Sequence, residues 1–83
     1  MYTVTIDRDA RKTLARLPGT AYRRILAAIT ALADDPRPHD CKKLVDRPGW
    51  RIRVGNYRVI YEINDRALTV LVVTVAPRGE AYR

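Results

Sequence analysis

The sequence predicts a two-layer α+β domain, an antiparallel sheet with an αα-hairpin packed on one face, in the order β-α-α-β-β-β. Three features lead there. Apolar residues alternate at the N-terminus, recur at helical spacing through two stretches separated by Pro18-Gly19, and alternate again from Trp50 onward. With 83 residues and no repeat or linker, the chain reads as one domain, 1–83.

Tyr2, Val4 and Ile6 alternate with Thr3 and Thr5, the period of a half-buried strand. Asp7 stands where an N-cap is expected, ahead of a helix that puts Ala10, Leu14 and Leu17 on one face. Pro18-Gly19 stops it and Thr20 opens a second helix, whose apolar stripe is Tyr22, Ile25, Leu26, Ile29, Leu32 and Ala33. So short a connection implies an antiparallel helical hairpin. Prolines and short acids at 34–38 end the helical part, and residues 36–49 read as an ordered loop. From there Trp50, Ile52 and Val54 alternate with Arg51 and Arg53. Gly55-Asn56 is a turn, 57–63 a returning strand, 64–66 a second turn, and 68–75 an apolar strand suited to the interior of a sheet.

Sixteen Lys plus Arg against nine Asp plus Glu leave a net charge of +7, and thirteen of the sixteen are arginine. Genome composition explains arginine in place of lysine, but not the excess of positive charge, which points to an anionic partner such as nucleic acid. No apolar run is long enough to span a membrane, and Met1-Tyr2-Thr3 does not open a signal peptide, so a cytoplasmic protein without membrane association is expected. The single cysteine, Cys41, excludes an internal disulfide and any CxxC site. No Asp/Glu/His set has metal-binding spacing, and no cofactor is expected.

A two-residue turn at Gly55-Asn56 pairs Val54 with Tyr57 and Arg53 with Arg58. Arg51, Arg53 and Arg58 then share one face of the sheet, with Trp50, Ile52, Val54, Tyr57, Val59 and Tyr61 on the other. Like charges directly opposite are destabilising by a few tenths to about 1 kcal/mol. A phosphate between the guanidinium forks would reverse that, although a solvated sheet face carries arginine too. A three-residue second turn would pair Ile63 with Ala67 and Arg58 with Val72, and would send Val72, Thr74, Ala76 and Arg78 onto the arginine face, with Tyr82 four residues further on. Arginines beside an aromatic ring suit an RNA backbone and a stacked base.

The run from Lys43-Leu44-Val45-Asp46-Arg47-Pro48-Gly49-Trp50-Arg51-Ile52-Arg53 through Tyr57-Arg58-Val59-Ile60-Tyr61 to Ile63, followed by Pro77-Arg78-Gly79-Glu80-Ala81-Tyr82, resembles the signature of RelE-type toxins in the RelE/ParE superfamily. The resemblance extends over essentially the whole chain and implies a RelE-like fold. It also implies a metal-independent mRNA endonuclease that acts in the ribosomal A site, where the ribose 2′-OH attacks the adjacent phosphate. By position, Arg51 and Arg53 match two basic residues of the second strand, often lysines in the family. Arg58 matches an arginine on the scissile phosphate, Arg78 one assigned to the leaving 5′-oxygen, and Tyr82 a tyrosine that stacks on the substrate base. Lys43, at the head of the same run, is a further candidate for substrate binding. The implied partners are a RelB-like antitoxin, mRNA and the ribosome, with operator DNA reached only through the antitoxin complex.

Arg53 departs from the family pattern. It stands where a lysine is proposed as general base, and a guanidinium with a pKa above ~12 accepts protons poorly. Glu62 has the parity of the arginine face but lies four residues from Arg58, and His39 sits in a proline-flanked loop. Three mechanisms remain open: electrostatic catalysis by the arginines, a proton acceptor supplied by ribosome or mRNA, or RNA binding with poor cleavage. Two other functions also remain open. One is inhibition of DNA gyrase, as in the ParE branch; the other is a weakly active toxin that serves its antitoxin mainly as a co-repressor.

Overall fold

The computed structural model describes residues 1–77. The order is β1 (Thr3–Ile6), α1 (Arg8–Ala15), α2 (Gly19–Ala31), β2 (Lys42–Lys43), β3 (Trp50–Val54), β4 (Tyr57–Asn64) and β5 (Thr69–Pro77). The strands form one sheet in the order β1-β5-β4-β3-β2. The helical hairpin packs on one face, α1 against β5 and α2 against β3. The α+β class expected from the sequence holds.

Several details differ from the sequence reading. The sheet is mixed, because β1 pairs parallel with β5; the helical hairpin provides the long crossover that a parallel neighbour requires. The loop over 36–49 contains β2, two exposed residues paired antiparallel with β3, too short and too polar to show a period. Asp7 does occupy the N-cap position of α1, but its side chain makes no capping hydrogen bond.

The core is built from Ala10 and Leu14 of α1, Ile25 and Ile29 of α2, Leu32, and the inward residues Ile52, Val59, Tyr61, Val70, Val72 and Val75. Tyr61 is fully buried, and its hydroxyl donates to the carbonyl of Pro36 at 2.7 Å. That bond satisfies the polar end of an otherwise apolar ring and pins the segment after α2 to the sheet. Burial pushes the Tyr61 phenol well above its ordinary pKa of 10.0. On the same side of the molecule, Asp65 accepts from the Tyr2 hydroxyl at 2.6 Å and from both terminal nitrogens of Arg37 at 3.2 and 2.9 Å. The Arg37 guanidinium also lies 5.0 Å from the Trp50 ring centroid. One arginine therefore joins the α2–β2 segment, the β4–β5 turn and β3.

Candidate nucleic-acid interface

The β3–β4 hairpin has the expected register: Val54 opposite Tyr57, Arg53 opposite Arg58, Ile52 opposite Val59 and Arg51 opposite Ile60. Gly55 carries the turn at φ +61, and a Cβ there would come within 3.3 Å of the Arg24 guanidinium reaching over from α2. Both the left-handed backbone and the close approach favour glycine. Arg51, Arg53 and Arg58 consequently share the face of the sheet opposite the helices.

This face is not simply a solvated one. Arg51 and Arg58 are each only 9% exposed, and Ile60 beside them is fully buried. Arg53 is exposed. Two guanidinium groups are thus held in covered positions next to a third that meets solvent. Buried arginine is uncommon, because removing a charge from water is costly without compensating contacts.

The β4–β5 register required correction. The turn is longer than the three-residue version, so Asn64 pairs with Thr69, Ile63 with Val70 rather than Ala67, and Arg58 with Ala76 rather than Val72. A bulge follows: Tyr61 pairs with Val72 and the adjacent Ile60 with Thr74, which leaves Val73 as the extra residue. Val72 therefore lies in the core, while Thr74 and Ala76 return to the arginine face as expected. Arg78 and Tyr82 lie outside the described residues.

Lys43 lies off the parity of the arginine face, although it lines the adjoining groove. It pairs with Trp50, and its ammonium stands 5.5 Å from that ring's centroid, where Arg37 also lies. The lysine opposite Arg51 is Lys42, which the sequence reading missed; only the register of a two-residue edge strand reveals it. Lys42 to Arg47 together with Arg51 line a groove of about 390 Å³. Its wall, the β2–β3 loop, is closed by a hydrogen bond from the Leu44 amide to the Gly49 carbonyl at 3.0 Å. Gly49 sits at φ +124, where a Cβ would come within 3.0 Å of the Tyr61 carbonyl. Glu62 and His39 are exposed, and Glu62 lies opposite Leu71, beyond the bulge from Arg58. Among the described residues, no three His, Cys, Asp or Glu side chains gather into a group that could hold a metal ion. No helix among them is long and apolar enough to cross a membrane.

Comparison with known proteins agrees with this architecture. Residues 4–82 match the family described as the ParE toxin of the type II toxin-antitoxin system parDE. Toxin RelG of Mycobacterium tuberculosis is 34% identical over 89 residues, spanning 99% of this chain and 97% of that protein. A chain of the archaeal RelE–RelB complex of Pyrococcus horikoshii superposes with a TM-score of 0.85 at 34% identity, over 95% of this chain and 97% of the other. A chain of the toxin-antitoxin complex RelBE2 of Mycobacterium tuberculosis gives 0.71 at 33% identity, covering 93% and 98%.

Proposed function

We propose that this chain, which belongs to the ParE toxin family of type II toxin-antitoxin systems and to the wider RelE/ParE superfamily, is the ribonuclease of its module and cleaves mRNA on the ribosome. The observation that carries this reading is the Arg53–Arg58 pair, two like charges held directly opposite beside a largely buried Arg51. A phosphate beside two guanidinium forks accepts charge-assisted hydrogen bonds from both.

The chemistry follows from what arginine does. The nucleophile is the ribose 2′-OH already adjacent to the phosphate, so the protein's task is orientation and charge neutralisation. The 2′-oxygen bonds to phosphorus, the bond from phosphorus to the 5′-oxygen breaks, and the departing 5′-oxygen takes up a proton from water. The 2′-proton passes to water or to a group of the RNA or ribosome, because guanidinium remains protonated. The excess negative charge of the phosphorane rests on Arg53 and Arg58, with Arg51 beside them. Arg78 and Tyr82 are assigned by resemblance to the leaving 5′-oxygen and to base stacking. No metal is needed for this route.

The RelE–RelB complexes among the relatives support an antitoxin partner of the RelB kind. A chain with net charge +7 suits an acidic segment wrapped over it. Operator DNA would be approached only through that complex, and the site of action is the cytoplasm, where the ribosomes are. The name of the matching family favours a second reading, inhibition of DNA gyrase. Induced expression followed by primer extension on cellular mRNA separates the two. Discrete mRNA ends with arrested translation support the ribonuclease; intact mRNA with DNA damage and filamentation would overturn it.

A further inference from the structure

Lys42 and Arg51 form a second like-charge pair on the arginine face, directly opposite each other across β2 and β3. The cleavage step above gives Lys42 no role and Arg51 only a place beside the reacting pair. We propose that they bind the phosphodiester next to the one that is cut, with Lys42 as a positioning residue; this rests on the ribonuclease reading.

The placement follows from the register. Arg53–Arg58 is one rung of the sheet and Lys42–Arg51 is another, two residues away along β3 and one strand nearer the edge. Strand rise and spacing put the rung midpoints about 8 Å apart. The long, exposed Lys42 side chain adjusts that distance to the step between neighbouring phosphates of an extended strand, with Arg51 as its fixed partner. Opposed cations at a sheet edge weaken the free protein, and an anion between them removes the penalty.

The site is also built. Arg51 is only 9% exposed, so its guanidinium is held in place rather than sweeping through solvent. The adjoining groove carries Lys42, Lys43, Arg47 and Arg51 against the single carboxylate of Asp46. It also has an apolar wall in Leu44 and Val45, the latter 95% exposed. Cations beside exposed apolar surface match a nucleotide, with its phosphate on the rung and its base along the wall. Lys43 is turned to Trp50, which leaves Lys42 as the lysine on this rung.

The test is single-turnover cleavage of short synthetic mRNAs on ribosomes, varying the toxin concentration. Lys42→Ala should raise the half-saturating concentration about fivefold, the scale of one exposed ion pair, with little change in maximal rate, and Lys42→Arg should restore it. A neutral methylphosphonate at one of the two linkages flanking the cut should cost the wild type a similar factor. On that same RNA Lys42→Ala should lose nothing further. Wild-type cleavage that is indifferent to Lys42→Ala, or losses that multiply on every methylphosphonate RNA, would overturn the second rung while the ribonuclease reading stands. A wild type that cuts no RNA would overturn both.

Discussion

Arg53 and Arg58 stand directly opposite one another at the head of the β3–β4 hairpin, set there by the turn at Gly55-Asn56. A two-residue turn fixes the register of the strands it joins, so this repulsive pair is a direct consequence of turn length. Arg53 is the exposed member of the pair and Arg58 the largely buried one. Arg53 should therefore matter more for activity than for folding. Arg53→Ala should reduce toxicity while leaving stability unchanged or raised by a few tenths to about 1 kcal/mol. Growth assays paired with thermal unfolding of the purified protein check both halves.

The form of the charge at this position gives a sharper test. If Arg53 acts through charge alone, Arg53→Lys keeps most of the cleavage rate, whereas Arg53→Gln loses on the order of 10²-fold, the scale of one removed transition-state donor. A strongly activated Arg53→Lys with a new ionisation in its pH–rate profile would mean that a missing general base limits the native enzyme.

The hairpin register was legible in the sequence because one turn signal and strict alternation determine it together. The β4–β5 register was not. Val70, Val72 and Val75 all point into the core, and no uninterrupted alternation places all three there. The bulge at Val73 reconciles them, but a run that is apolar at almost every position hides the change of phase. Lys42 was hidden for a different reason. Its strand is two residues long and exposed, so pairing with β3 alone defines its face. The Arg37–Asp65 pair joins residues 28 apart in the chain, and no local pattern announces such a contact.

Tyr61 should be the most costly polar position in the core. Tyr61→Phe leaves the Pro36 carbonyl without its 2.7 Å donor. It should destabilise by about 1–3 kcal/mol, lowering Tm by at least several degrees. The phenol's pKa is raised, so the folded state retains a proton that the unfolded chain releases near 10.0. The stabilisation linked to this proton is complete below that pH and declines as pH rises above it. Alkaline unfolding followed by tyrosinate absorbance should show this phenol ionising with loss of structure, and the dependence should weaken in Tyr61→Phe, leaving that of Tyr2, whose phenol is also raised by its hydrogen bond to Asp65.

The Arg37–Asp65–Tyr2 cluster sets an acid limit. Hydrogen bonds first from Arg37 and then from Tyr2 hold the Asp65 carboxyl at about 2, below its ordinary 3.8. A lowered carboxylate pKa contributes stability above 3.8 that is lost as pH falls toward about 2. Asp65→Asn should therefore melt below the wild type at neutral pH, by a small margin because the pair is exposed, and the two should converge near pH 2. The chain's single tryptophan, Trp50, sits against Arg37 and should report the change by fluorescence.

The identity of the nucleophile is the deepest commitment of the ribonuclease reading. Arginines that remain protonated do not activate water, so the attacking oxygen must already be part of the substrate. In RNA that oxygen is the 2′-OH on the 5′ side of the cut. A single 2′-deoxy substitution there should abolish cleavage on the ribosome, while the same substitution one nucleotide away should leave it close to unchanged. The upstream product should end in a 2′,3′-cyclic phosphate and the downstream product should begin with a 5′-hydroxyl. Both ends are readable by mass spectrometry of a short synthetic mRNA. A 5′-phosphate on the downstream fragment, or cutting of the deoxy substrate, would mean that water is the nucleophile. The Arg53–Arg58 pair would then need a base or a metal beside it that the described residues do not supply.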